Sequence, residues 1–136
     1  MEALAVREEM TMAETNNKKR LLVVEDDKMV LSILREYLLT DYNVCCADTG
    51  KEALEILEYA RPDCILLDYK MPVMDGPAVL KRIRQTGKLN DVPVIFLTSA
   101  SDPESVAECL SFHPADYILK PVGKATLLHR LSRVLG

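Results

Sequence analysis

Long hydrophobic runs are absent from this 136-residue sequence. The longest are Leu21 to Val24, Cys64 to Leu67 and Val92 to Leu97, far short of the roughly 20 apolar residues that a membrane-spanning helix requires. A secretory leader is absent too, because Met1 to Arg20 carries Glu2, Glu8, Glu9 and Glu14 without a continuous apolar stretch. The expected location is the cytoplasm, with no membrane partner. Cysteine is scarce, and Cys45, Cys46, Cys64 and Cys109 lack the C-x-x-C spacing of a zinc or redox site. They read as small buried thiols. Positive charge is not in excess either. With 17 Lys and Arg against 21 Asp and Glu, net charge −4, the chain lacks the clustered cations on which polyanion binding rests, so nucleic acid is not expected as a direct partner. The short basic runs Lys18 to Arg20 and Lys81 to Arg84 read as solvated faces.

What is present is a regular alternation. Past residue 20, short apolar runs alternate with segments of helical spacing, the pattern of βαβ units around a parallel sheet. Strands are expected at Leu21 to Glu25, Asn43 to Ala47, Asp63 to Leu67, Val92 to Leu97 and Asp116 to Leu119. Most are continuously apolar, as strands covered on both faces are. Apolar residues recur at three and four in Val30, Leu31, Leu34, Tyr37 and Leu38, and again in Leu127, Leu128, Leu131, Val134 and Leu135. Thr49 with Glu52 and Ser101 with Glu104 match capping boxes. Pro103 suits a first helical position, and Asp75-Gly76-Pro77 opens another helix with Val79, Leu80 and Ile83 inward. The fold class is therefore α/β, a doubly wound (βα)5 with a five-stranded parallel sheet. Residues 19–136 form the domain, and 1–18 an N-terminal extension, mobile or left over from expression.

In an open parallel sheet, functional groups gather beyond the carboxyl ends of the strands. Here those ends supply Glu25-Asp26-Asp27, Asp68, Thr98-Ser99 and Lys120-Pro121. Two like charges about 4 Å apart repel by roughly 4 kcal/mol at an effective dielectric near 20, so Glu25, Asp26 and Asp68 cannot all stay ionised without a cation. Hard oxygen donors, few and partly solvated, suit Mg²⁺ together with phosphate oxygens. Lys120 offers a compact point charge to one phosphate oxygen, and Thr98 a hydroxyl to another. Asp68, at the tip of the middle strand, is the candidate nucleophile for an acyl phosphate.

From Lys19 to Gly136 the sequence resembles the receiver domain of two-component response regulators, of the chemotaxis-receiver type. The matching pieces are Leu22 to Asp27, the D-x-x-M-P-x-M-D-G run from Asp68 to Gly76, Pro93 to Thr98, and Ala115 to Pro121. The resemblance implies the flavodoxin-like strand order 2-1-3-4-5. It implies Asp68 as phosphoacceptor, Glu25 and Asp26 as the acidic pair, and Asp26 as a direct Mg²⁺ ligand with Glu25 acting through water. The backbone carbonyl of Lys70 matches a further ligand, Thr98 the hydroxyl drawn toward the phosphoryl group, Lys120 its ion-pair partner, and Tyr117 the aromatic switch. The implied donor is a phosphohistidine on a sensor histidine kinase or phosphotransfer protein. The implied output is a downstream protein partner or fused output domain, with a phosphorylation-linked homodimer. Such a receiver is not a general enzyme: it catalyses only its own phosphorylation and dephosphorylation.

Two departures from the family pattern stand out. Pro114-Ala115 after His113 replaces the usual Gly-Ala before the last strand, stiffening that loop. Lys70 and Ala100, two residues past Asp68 and Thr98, do not resemble a water-orienting pair, which predicts a long-lived phosphoryl group. Asp27 reads as a helix cap, Ser99 as a strand end, Tyr69 as loop packing, and His113 and His129 as surface or half-buried residues. Three rivals are weaker. A binding module that is never phosphorylated would lack one of the acid, hydroxyl or lysine groups. An aspartyl phosphohydrolase would carry D-x-D after the first strand, and a flavin carrier a Ser/Thr/Gly-rich phosphate cradle there.

Overall fold

The computed structural model describes residues 17–136. The expected extension 1–18 thus lies, but for its last two residues, outside the described part. Five strands and five helices alternate: β1 (Arg20–Val24), α1 (Lys28–Leu38), β2 (Asn43–Ala47), α2 (Gly50–Ile56), β3 (Cys64–Asp68), α3 (Gly76–Gln85), β4 (Val94–Thr98), α4 (Pro103–Ser111), β5 (Asp116–Leu119) and α5 (Lys124–Leu135). All strand pairings are parallel, and the order is β2-β1-β3-β4-β5. The expected fold and order are both found. Among the described residues no helix is long and apolar enough to cross a membrane.

The sheet is buried on both faces because the interior positions of β1, β3 and β4 are continuously apolar, and strand geometry sends alternate side chains to opposite sides. Leu22, Val24, Ile65, Leu67 and Phe96 point into one core, closed by Ala53 and Ile56 of α2, Val79, Leu80 and Ile83 of α3, and Cys109 of α4. Leu21, Val23, Leu66, Ile95 and Leu97 point into the other, closed by Leu34 and Leu38 of α1 and Leu127 and Leu131 of α5. Each such side chain, wholly removed from water, contributes about 1.5–3 kcal/mol, which anchors the helices firmly enough to hold the loops between them.

The helix starts follow cap chemistry. Asp27 accepts from the amides of Met29 and Val30, as expected of a cap, and Asp75 accepts from Ala78 ahead of Pro77. At α2, Thr49 accepts from Glu52, whose carboxylate accepts in turn from the Asp48 amide, one residue before the cap. The Ser101 box is corrected: Asp102 is the cap of α4 and accepts from Ser105. Pro103 fixes this, because its ring preorganises the first helical position and puts the cap immediately before it.

Strand ends are corrected too. Glu25, Asp63, Val92 and Pro93 fall outside their expected strands, while Arg20, Asp68 and Thr98 fall inside. The basic run Lys81 to Arg84 is not wholly a solvated face, since half-buried Arg84 donates to the carbonyls of Leu89 at 2.6 Å and Val92 at 3.0 Å and ties the α3–β4 connection. Arg20 is also half-buried, its amide donating to Asp63 at 2.7 Å. Cys45, Cys64 and Cys109 are buried free thiols, whereas Cys46 is half-buried.

Candidate functional site

The strands all run the same way, so their carboxyl ends share one edge, and the connections β1–α1, β3–α3, β4–α4 and β5–α5 meet there. A cleft of about 260 Å³ opens at that edge, lined by Glu25, Asp26, Asp27, Val30, Asp68, Lys70, Thr98, Ser99 and Lys120. Every strand-end residue expected to carry the chemistry is brought into it. Residues 25, 68 and 120 owe their meeting to the central position of β1 and β3 and to β5 following β4 in the sheet.

Lys120 is the hinge of the arrangement. Its ammonium donates to Glu25 Oε1 and, at 2.9 Å, to Asp68 Oδ1. Glu25 is 0% exposed, Asp68 4% and Thr98 6%; the two carboxylates survive burial by sharing the Lys120 ammonium. Asp26 is exposed and stands at the mouth of the cleft. Thr98 accepts from the Ala100 amide at 3.2 Å, which leaves its hydroxyl proton available to a ligand. The Lys120–Pro121 peptide is cis.

The electrostatics follow from this crowding. Burial, then the nearby carboxyls of Glu25 and Asp26, push the Asp68 carboxyl up to about 8 against the pull of Lys120. Burial also works against charge on Lys120, but its bonds to Glu25 and Asp68 outweigh that and hold the ammonium above the ordinary lysine value. Three acids faced by one lysine leave a deficit of positive charge. Carboxylate oxygens of Glu25, Asp26 and Asp68 lie within 4.8 Å of one another. An all-oxygen set this compact, open on the Asp26 side, fits a small hard cation such as Mg²⁺.

The β3–α3 connection that carries Lys70 is tightly built. Met74 donates to the Pro72 carbonyl at 2.8 Å across Val73, which has φ 70° and points wholly into solvent. Gly76 lets the chain return under Asp68: its amide donates to the Tyr69 carbonyl at 2.8 Å, and a Cβ there would sit 2.5 Å from the Asp68 carbonyl oxygen.

Tyr117 lies outside the cleft, half-buried on β5 beside Phe96 of β4 and packed on the α2–α4 core. Two features were not legible. Tyr69, expected as loop packing, is 6% exposed and donates to Glu108 on α4; no spacing rule links positions 39 residues apart. An apolar groove of about 390 Å³ runs from Lys120 and Pro121 along Val30, Ile33, Leu34 and Tyr37, where Ile33 is 44% exposed. Ile33, apolar yet outside the recurring α1 positions, was its available signal.

Comparison with known proteins agrees with this geometry. A sequence model of the response regulator receiver domain matches residues 21–132. The response regulator MprA of Mycolicibacterium vanbaalenii is 37% identical over 117 residues, 85% of this chain and 50% of MprA. The sensor histidine kinase TmoS of Ectopseudomonas mendocina is 32% identical over 121 residues, 89% of this chain and 12% of TmoS. The chain thus spans half the length of one relative and a small fraction of the other. The receiver domain of the sensor histidine kinase PA1611 of Pseudomonas aeruginosa superposes with a TM-score of 0.81 at 31% identity, covering 88% of this chain and 98% of that one. That structure is described as having a magnesium ion coordinated in its active-site cleft.

Proposed function

The chain belongs to the response regulator receiver domain family of two-component signalling, and we propose that it works by accepting a phosphoryl group on Asp68 from a phosphohistidine of a sensor histidine kinase or phosphotransfer protein. The phosphoryl-accepting unit is residues 19–136. The observation that carries the reading is the placement of Lys120, which touches the carboxylates of both Glu25 and Asp68.

An Asp68 carboxylate oxygen attacks phosphorus, the P–N bond breaks, and its electron pair returns to the donor imidazole. Lys120, already on Asp68 Oδ1, keeps its proton and follows the transferred oxygens, and Thr98 donates to another of them. Asp68 attacks only as the carboxylate, so positive charge beside Glu25 and Asp26 is a condition of the reaction. Those two carboxylates, Asp68 and the Lys70 carbonyl would hold Mg²⁺, which when bound neutralises charge on the phosphoryl oxygens. The chain turns over no external substrate; it catalyses only its own phosphorylation and dephosphorylation.

The groove beside Lys120 supports a protein donor, since an apolar helical surface seated on Val30, Ile33 and Tyr37 would bring its histidine to the cleft. The new charge draws Thr98 inward, and Tyr117 fills the space it leaves. That change reaches exposed Leu110, Phe112 and Leu119 around α4 and β5, where we place a downstream partner, a fused output domain or a second copy in a phosphorylation-linked homodimer. The reading places the protein in the cytoplasm, where a kinase-borne phosphohistidine is made from ATP.

The test is intact mass after incubation with a small phosphodonor and Mg²⁺. Wild type should gain one phosphoryl group and Asp68→Asn none. A wild type without gain, or an equal gain in Asp68→Asn, overturns the assignment.

A further inference from the structure

Helix α4 is the least buried of the described helices. Of its nine residues only Cys109 is buried, whereas α1 and α5 each bury two leucines and α3 four residues. Such a helix has little apolar area to define its position, so polar contacts carry an unusual share of that task. The Tyr69 hydroxyl donates to Glu108 Oε1 at 2.5 Å, midway along α4. The same ring stands edge-on to Phe96 at 5.1 Å, and Phe96 stands edge-on to Phe112, which closes α4, at 6.5 Å.

Tyr69 is also the residue after Asp68, and its backbone is held on both sides. Its amide donates to the Leu97 carbonyl at 2.8 Å and its carbonyl accepts from Gly76 at 2.8 Å. The main chain that carries the ring is therefore continuous with that of Asp68 and held in place, so the ring moves only by turning about its own side-chain torsions. Helix α4 is consequently attached to the site twice. One attachment runs through Thr98 and the β4–α4 connection to the Asp102 cap, the other through Tyr69 and Glu108.

We propose that the Tyr69–Glu108 hydrogen bond is a latch that fixes α4 in the unphosphorylated chain, with Tyr69 a positioning residue acting through Glu108. The role of the latch in signalling rests on the receiver reading above; its role in holding α4 does not. Inward movement of Thr98 pulls on the start of α4, and the latch resists that pull at the helix middle. Release frees the segment bearing Leu110 and Phe112.

Amide hydrogen exchange over residues 103–112 tests this in the full chain. Tyr69→Phe keeps the ring and its edge contacts and removes only the donor. It should speed exchange in α4 by about tenfold, the loss expected for one hydrogen bond to a charged acceptor, with β1 and β3 unchanged. Glu108→Ala should do the same, the double variant no more than either single one, and Glu108→Gln, whose amide oxygen still accepts, should restore most of the protection. Unchanged α4 exchange in Tyr69→Phe, or additive effects in the double variant, overturns the latch. After phosphorylation, confirmed by mass, wild-type α4 should exchange like unphosphorylated Tyr69→Phe, and the variant should change little further. An equal response in both overturns the signalling role, whereas a wild type that gains no phosphoryl mass overturns the receiver reading and leaves the first comparison intact.

Discussion

At the scale of single residues, the cleft is a place where burial and crowded carboxylates cost stability. Asp68 is buried against Glu25 with Lys120 shared between them, so its ionised form is disfavoured and its carboxyl is raised to about 8. Asp68→Asn removes one of the competing charges and leaves the Lys120–Glu25 pair. Without divalent ions this variant should be more stable than wild type at neutral pH and should melt at the higher Tm. The pH dependence has a definite sign. The unfolded carboxyl loses its proton near 3.8, the native one near 8, so wild-type stability falls relative to Asp68→Asn across that window and levels off above it. Parallel thermal melts from pH 4 to 9 check this; curves that never diverge contradict it. Lys70 and Ala100 set a second expectation. Lys70 lines the cleft and Ala100 has no polar side chain with which to orient attacking water. Lys70→Asn combined with Ala100→Glu should shorten the phosphoryl lifetime by about tenfold or more, in the range of general acid–base effects, and a wild type that hydrolyses faster than this variant sinks the idea. Val73 gives a third. A β-branched residue at φ 70° stores about 1–3 kcal/mol of strain, and its full exposure means that no packing is lost on replacement. Val73→Gly should raise stability by about 1 kcal/mol after the entropy of glycine is subtracted, as read by chemical denaturation.

At the scale of elements, the β3–α3 connection and α3 form one unit because Gly76 passes beneath Asp68. Gly76→Ala would drive a methyl against main chain, 2.5 Å from the Asp68 carbonyl and 3.0 Å from Tyr69 Cα, and backbone cannot move aside as a side chain can. Loss of about 2 kcal/mol in chemical denaturation and slower phosphoryl uptake by intact mass should appear together. The elements themselves were legible in the sequence wherever one signal dominated. Continuous apolar runs marked β1, β3 and β4, and recurrence at three and four marked α1 and α5. The misplaced boundaries lie where signals compete. Asp68 and Thr98 are polar, so a hydrophobicity rule stops short of them, yet each continues the strand because its backbone pairs with the neighbouring one. Asp102 was displaced by Ser101 because both can cap, and Pro103 decides between them. Arg84 and Arg20 read as solvated because charge alone does not reveal which carbonyl or carboxylate waits across the fold.

At the scale of the whole molecule, three acids and one lysine converge from strands that chain order separates and sheet order rejoins. The identity of those residues was legible because each stands at a strand end, and a parallel sheet puts all such ends on one edge. Their division of labour was not. That Glu25 is sealed inside and Asp26 left at the mouth depends on the turn after β1, and that Tyr69 reaches α4 depends on a contact across the sheet. The charge deficit of the cleft gives the molecule a global property: folding assembles a carboxylate cluster, fit for a small hard cation, that the unfolded chain lacks. The free energy of any cation bound there adds to folding stability, about 2.7 kcal/mol when the ion is at a hundred times its dissociation constant. Mg²⁺ should raise the Tm of wild type in proportion to the logarithm of its concentration. The rise should be much smaller in Asp68→Asn and in Asp26→Asn, each of which removes one donor while leaving the Lys120–Glu25 pair. Because Asp68→Asn is expected to start from the higher Tm, the two curves should converge or cross as Mg²⁺ is added. A wild-type Tm insensitive to Mg²⁺, or an equal rise in all three proteins, would mean that the convergent carboxylates are balanced by Lys120 alone.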